Sequence, residues 1–385
     1  MTEATRVSPW AFEPLCPSNF LRRTATVHPD HIAVVDGSFR ITYAELEWRC
    51  MRMAGSLSGL AGGGPIAVLA TNSHVLLECH FAVPWAGSPL VALNIRLNPA
   101  ELAWIIGHSE SRVLVFTEEL SDKAAAIAAL RPELIMVGAG GAADAYETLV
   151  QEGRPTANEV SDERELLSIN YTSGTTGRPK GVMYHHRGAY LQALAMVHHA
   201  RMTPADVLLW TLPMFHCNGW CFPWAATAAG ATHVCLRHMD ASEVWRLIGS
   251  ESVSIFCGAP TVLAMLAGSP DAAPVATPIR ALTGGAPPAP ALIRRMEQLR
   301  ISVTHLYGLT ETFGPIMVNE WHSDWDRLDE QRRATLTARQ GVGNVVAVRA
   351  RVVGPDGRDV PSDGQTSGEI ALRGNNVMLG YLKDP

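Results

Sequence analysis

The stretch IAVLATNSHVLLECHFAVPWAGSPLVAL, residues 66–93, holds a short apolar run (66–70), a longer segment of helical character (75–86) and a second short apolar run (90–93). Short apolar runs bounded by turn-forming residues suit buried strands, and the longer segment between them suits a helix. Strand, helix and strand in that order make a βαβ unit with parallel strands. On its N-terminal side, residues 44–57 are also helix-like. On its C-terminal side, Asn98-Pro99-Ala100-Glu101 opens a helix, with Asn98 as cap, Pro99 in the first turn and Glu101 set against the dipole. A strand-like run (112–116), a helix opened by Ser121-Asp122 and another strand-like run (134–137) continue the alternation. The first 150 residues are therefore expected to be α/β.

A Gly-rich stretch (138–143) and a charged one (151–164) mark a loop and a boundary, after which a second series begins. Its strand-like runs are 166–170, 207–212, 232–236, 253–257, 279–282 and 303–306, with helical patterns between them. Residues 324–339 are polar and helix-compatible, and the runs 345–353 and 368–372, separated by Gly-Pro-Asp-Gly and Ser-Asp-Gly turns, suit antiparallel strands. The expected fold is thus α/β: two parallel-sheet subdomains, 1–165 and 166–340, and the start of a small antiparallel β subdomain at 341–385. The last apolar run, Met378-Leu379-Gly380-Tyr381-Leu382, lies so near the end that a fragment of a longer protein is expected.

Hydrophobic residues make up 47% of the chain and charged residues 18%, enough for a large core and unlike a disordered segment. The 31 basic and 37 acidic residues leave a net charge of -6 with no Lys/Arg block, so nucleic acid is not an expected partner. Seven cysteines, an odd set without a CxxC pair, predict reduced thiols. The opening residues lack a basic start followed by an apolar core, and no stretch reaches the roughly 18 apolar residues of a membrane span. A cytoplasmic protein without signal peptide or membrane span is expected, and a homo-oligomer is left open. Only three of the basic residues are lysines, Lys123, Lys180 and Lys383, so each stands out in a chain that otherwise uses Arg.

Lys180 lies in Thr172-Ser173-Gly174-Thr175-Thr176-Gly177-Arg178-Pro179-Lys180-Gly181, directly after the strand-like Leu167-Ser168-Ile169-Asn170-Tyr171. The glycines allow close backbone approach, the hydroxyls of Thr172, Ser173, Thr175 and Thr176 donate to phosphate oxygens, and Lys180 supplies a compact charge. The spacing is not that of the P-loop, because Pro179 precedes the lysine and Gly181 follows it. A solvent-exposed Ser/Thr/Gly loop would be the plain alternative.

Three further segments carry chemistry. Residues 211–224 turn at Pro213 and continue as an aromatic run with Phe215, Trp220, Phe222 and Trp224, in which His216 and Asn218 would be the polar groups of an apolar pocket. Gly284-Gly285-Ala286 follows a strand-like run directly, a usual position for ligands in α/β proteins. Residues 303–312 are again strand then polar turn, and Glu311 there is either a carboxylate ligand for a hard cation or a helix cap. The His and Cys residues at 185, 186, 198, 199, 216, 217 and 221 match no common structural zinc spacing.

Residues Tyr171 to Gly181 resemble the signature loop of the adenylate-forming superfamily, which contains acyl-CoA synthetases, luciferases and the adenylation domains of peptide synthetases. The likeness extends over nearly the whole chain. Tyr184-His185-His186-Arg187-Gly188-Ala189-Tyr190 and Trp210-Thr211-Leu212-Pro213-Met214-Phe215-His216-Cys217-Asn218-Gly219-Trp220 are most similar to the fatty and short-chain acyl-CoA ligases, including methylmercaptopropionate-CoA ligases. The resemblance implies that a carboxylic acid, expected to be apolar from the aromatic pocket, attacks the α-phosphate of ATP to give acyl-AMP and pyrophosphate, and that the CoA thiol then displaces AMP. It implies ATP/AMP, Mg²⁺ and coenzyme A as cofactors. Thr172, Ser173, Gly174, Thr175, Thr176 and Gly177 would hold the nucleotide with Gly284, Gly285, Ala286, Tyr307 and Gly308, Tyr307 stacking on adenine. Lys180, Thr310 and Glu311 would be catalytic, Glu311 also holding the metal, and His216, Trp220, Gly285 and Gly314 would contact the acid. Family members continue into a mobile C-terminal domain that these residues do not contain. Two other readings stay open: an enzyme of one half-reaction, thioesterification of a preformed acyl-adenylate, and a non-catalytic nucleotide or acyl-adenylate binding protein.

Overall fold

The computed structural model describes residues 13–142, 144–172 and 177–384, and its two large sheets confirm the α/β class. The smaller one runs, from edge to edge, Ile135–Ala139, Val113–Thr117, Ile66–Leu69, Leu90–Ala92, Leu166–Thr172 and Lys180–His185. Its first five strands are parallel and the last is antiparallel. The larger sheet is parallel through its centre, from Ile32–Asp36 through Thr232–Val234, Val207–Leu209, Ile255–Gly258 and Ile279–Thr283 to Ile301–Leu309. Antiparallel strands close its edges: Phe39–Thr42 on one side, Gly314–Val318 and Val342–Gly343 on the other. A separate antiparallel pair, Ala347–Val353 with Glu369–Gly374, forms the small β unit expected near the C-terminus.

The sheets do not divide at residue 165. The hairpin formed by Ile32–Asp36 and Phe39–Thr42 belongs to the sheet built mostly from later residues, and Leu166–Thr172 with Lys180–His185 belongs to the sheet built mostly from earlier ones. A helix between the sheets makes this exchange compact: His74–Trp85 is apolar on every side and buried at every residue but the first. Helix Tyr43–Ala61 packs against it, opened by a Thr42/Glu45 capping box and closed by Gly62 in the left-handed region (φ 57°). The expected start at Asn98 also forms as a capping box, with Glu101 reaching back to the Asn98 backbone. Among the described residues, no helix is long and apolar enough to cross a membrane.

An ion network spans the two sheets. Asp36, at the end of its strand in the larger sheet, accepts from His74 Nδ1 at 2.7 Å and from Arg237 Nε and Nη2 at 2.9 and 2.8 Å. Burial opposes ionisation of Asp36, yet the hydrogen bonds from His74 and Arg237 outweigh it and hold the carboxyl well below the usual carboxylate range. Its contribution to stability is therefore complete above the unfolded-state value of about 4 and disappears as pH falls through the lower folded-state value. Asp36→Asn is expected to cost about 2 kcal/mol at neutral pH, discounted because Arg237 is partly exposed. In urea titrations the gap between the two chains should shrink below about pH 4. A gap independent of pH would mean that the stability comes from packing rather than charge.

Candidate active site

The antiparallel pairing of Leu166–Thr172 with Lys180–His185 makes the Thr/Gly loop the tip of a hairpin, with Thr172 opposite Lys180 and Tyr171 opposite Gly181. Ser173, Gly174, Thr175 and Thr176 lie outside the described residues. The last segment of the chain lies along the second strand of this hairpin. Leu379 N donates to Met183 O at 2.9 Å, Met183 N to Gly380 O at 3.1 Å and Leu382 N to Gly181 O at 2.7 Å. Gly181 permits this approach, because a Cβ there would stand 3.0 Å from Ile169, 3.1 Å from Tyr171 and 3.3 Å from Leu382.

Between the hairpin and the larger sheet lies a cavity of about 530 Å³. Of the residues singled out in the sequence, Thr172, Lys180, His216, Trp220, Gly284, Gly285, Gly308, Thr310, Glu311 and Gly314 line it together. The flanks of the phosphate loop thus stand beside the Gly284-Gly285 turn. Ala286 and Tyr307 are next in sequence to lining residues without lining the cavity, and Gly177 sits in an exposed bend outside it.

The strand Ile301–Leu309 and the 3-10 turn Thr310–Thr312 bring Thr310 and Glu311 to the cavity. Thr312 braces the turn, its Oγ1 accepting from Leu309 N at 2.9 Å and donating to Gly314 O at 2.8 Å. Below it, Phe313 is fully buried and stacked on Tyr184 at 3.9 Å, and Tyr184 Oη donates to Thr310 O at 2.7 Å. Two aromatic rings therefore anchor the turn to the loop hairpin.

Glu311 Oε1 accepts from Tyr381 Oη at 2.7 Å, which orients the carboxylate and pushes the Tyr381 phenol up to about 12. Lys180 Nζ lies 4.6 Å from the Tyr381 ring centroid and 2.8 Å from Asp384 Oδ2. Cation, aromatic ring and carboxylate thus follow one another along one wall. Among the described residues no three His, Cys, Asp or Glu side chains are grouped so that they could together hold a metal ion. A single carboxylate suits a hard cation that takes its other ligands from a bound molecule and water.

The opposite wall is closed by Trp220, which is almost fully buried. Its indole lies between two glycines: a Cβ on Gly284 would stand 3.2 Å from the ring and one on Gly314 2.9 Å from it. His216 is open to the cavity. Its neighbour Cys217, whose Sγ is 3.8 Å from His216 Nε2, raises the imidazole above its ordinary value by hydrogen bonding. Cys217 also lines the cavity and donates to Thr310 Oγ1 at 3.3 Å.

One expectation is corrected. Asn218 is not a polar group of the pocket; it is fully buried behind the cavity wall and hydrogen-bonded to Ser168, Asn170 and His80. The reason is backbone handedness, since residues 217–221 all have positive φ, so the turn directs residue 218 away from the space that 217 and 220 face. Cys217 and Tyr381 line the cavity without having been anticipated. Cys217 stood inside the aromatic-His segment, and Tyr381 was part of an apolar run near the end that had no assigned place.

Comparison with known proteins shows the family and the fold. The pattern of the AMP-binding enzyme family matches residues 21–382. An acetate/butyrate–CoA ligase of Arabidopsis thaliana, named as peroxisomal, is 38% identical over 98% of this chain and 72% of its own length. A 2-methylpropanoate–CoA ligase of Humulus lupulus is 39% identical over 100% of this chain and 73% of its own length. The crystal structure of ATP-bound MatB from Rhodopseudomonas palustris is similar with a TM-score of 0.81 and 26% identity, covering 96% of this chain and 72% of that one.

Proposed function

The chain belongs to the AMP-binding enzyme family, and from that premise we infer that it is an acyl-CoA ligase, an ATP-dependent acid–thiol ligase of the AMP-forming kind, acting on a short or branched carboxylic acid. The observation that carries the inference is one cavity in which Lys180 from one strand and Thr310 and Glu311 from the Thr310–Thr312 turn face a small apolar wall made by Trp220. Both alternatives, an enzyme of one half-reaction and a non-catalytic binder, are less favoured, because the relatives are named as CoA ligases.

The acid's carboxylate attacks the α-phosphorus of ATP, the bond to the β-phosphate oxygen breaks, and pyrophosphate leaves. The CoA thiol then attacks the acyl carbon, and AMP departs with the bonding pair of the acyl–oxygen bond. No covalent bond to the protein forms, so its residues position anions and neutralise charge. Lys180 approaches phosphate oxygens once it exchanges Asp384 for them, and the Thr310 hydroxyl, held by Cys217, lies beside the same space. Glu311, oriented by Tyr381, would hold Mg²⁺, which when bound offsets phosphate charge. The nucleotide has Thr172, Gly284, Gly285 and Gly308 around it.

Trp220 limits the depth available to the acyl group, which supports a substrate of few carbons rather than a long-chain fatty acid. Acid-dependent pyrophosphate exchange and thioester formation with a panel of straight, branched and aromatic acids test the reading. Trp220→Ala is expected to open the space behind Gly284 and Gly314 and move the optimum toward longer chains. A gain of roughly 1–3 kcal/mol per accommodated methylene corresponds to about a fivefold to 150-fold change in relative kcat/KM. Retention of the original optimum would place the acyl group elsewhere in the cavity.

A further inference from the structure

Cys217, Asn218, Gly219, Trp220 and Cys221 have φ of 51°, 47°, 56°, 56° and 65°, a complete left-handed turn in which four residues carry a Cβ. L-residues rarely occupy this region, and a consecutive run of them persists only where the surroundings hold it. The surroundings are polar and dry. His80, Ser168 and Asn218 are fully buried and Asn170 nearly so.

The donors and acceptors resolve into one consistent pattern. His80 Nδ1 donates to Leu76 O at 2.7 Å, so its Nε2 is the acceptor for Asn218 Nδ2 at 3.1 Å. Asn218 Oδ1 accepts from Ser168 Oγ and from Asn170 Nδ2, both at 2.7 Å, and Asn218 N donates to Asn170 Oδ1 at 3.2 Å. Burial lowers the His80 imidazole to about 4, which keeps Nε2 an acceptor at neutral pH. Every contact of this amide therefore runs to the strand that carries the phosphate loop, Leu166–Thr172, or to the helix between the sheets, His74–Trp85.

Resting on the ligase reading above, we propose that Asn218 is a positioning residue for the acid. Its amide locks the left-handed turn that bears Trp220 and Cys217 onto the strand entering the phosphate loop, fixing the acyl wall relative to the α-phosphate. Ser168, Asn170 and His80 are the partners through which it acts. The nucleotide walls, Gly284-Gly285 and the Thr310–Thr312 turn, are built on other strands and meet this turn through the side chains of Cys217 and Trp220, not through the Asn218 amide.

The test is steady-state kinetics of acid-dependent pyrophosphate exchange on the full chain, with KM measured separately for acid and for ATP. Asn218→Ala should raise the acid KM roughly tenfold or more and flatten discrimination between butyrate and hexanoate, while the ATP KM stays within about twofold. Ser168→Ala removes only one of the two donors to Oδ1 and should shift the acid KM a few-fold in the same direction, which keeps the question decidable if Asn218→Ala does not fold. Equal losses for acid and ATP, or an unchanged acid KM in Ser168→Ala, would overturn the positioning role. An unaltered chain that exchanges pyrophosphate with no acid would instead overturn the ligase reading and this inference with it.

Discussion

Replacing Glu311 with Gln is expected to lower kcat/KM by on the order of 10²-fold to 10³-fold and to weaken the dependence on Mg²⁺, because the amide keeps the shape and loses the charge that would hold the cation. The substitution carries a second readout that does not depend on turnover. Tyr381 Oη can still donate to the Gln carbonyl, but the phenol no longer faces an anion, so its value should fall from about 12 toward the ordinary 10. Difference absorbance of the phenolate would register this shift. A magnesium titration identical in both chains would reduce Glu311 to a structural member of the Thr310–Thr312 turn.

Gly308→Ala is the second large effect. The strand Ile301–Leu309 pairs with Gly314–Val318 through a register shift at Gly308, where the two backbones come so close that an added methyl would run into the Gly314 carbonyl and the Pro315 Cα. Neither atom belongs to a flexible side chain, so the strands must part. Parting them moves Thr310, Glu311 and Gly314 together, and activity should fall by at least about 10²-fold with a Tm drop of several degrees. Gly285→Ala makes a useful contrast. Its φ of 85° strains any side chain, but a Cβ there meets nothing within 4 Å, so the damage should be smaller. Equal damage from both would show that conformational strain rather than strand contact governs this wall.

Much of the fold was legible because buried parallel strands are continuous apolar runs. Residues 66–70, 90–93, 112–116 and 279–282 needed no partner to be recognised. The antiparallel strand Lys180–His185 escaped notice because both its faces are largely covered, so KGVMYH shows no alternation. The short antiparallel strands Gly314–Val318 and Val342–Gly343 are equally silent in composition. At the site, Glu311 stood out by charge in an otherwise neutral turn, and Lys180 as one of only three lysines in the chain. Tyr381 did not, because its place depends on a chain segment returning from far along the sequence to lie on Lys180–His185. Asn218 was assigned to the pocket on residue type alone, and a left-handed turn reverses which side of the wall residue 218 occupies. Asn218 and Gly219 are the residues of that turn whose types favour the left-handed region.

The exchange of strands between the two sheets also governs how the chain comes off the ribosome. The strand Ile32–Asp36 pairs with Thr232–Val234, about 200 residues later. At roughly 5–20 residues per second, its parallel partner appears about 10–40 s after it does. Meanwhile Ala33, Val34 and Val35, all buried in the finished protein, lack their parallel partner and are covered by the short hairpin with Phe39–Thr42 and the helix Tyr43–Ala61. A nascent chain in this state presents an apolar edge for far longer than local folding takes, which invites chaperone capture or self-association. Yield of native protein should therefore respond to the speed of translation between residues 42 and 232 more than to the stability of the finished fold.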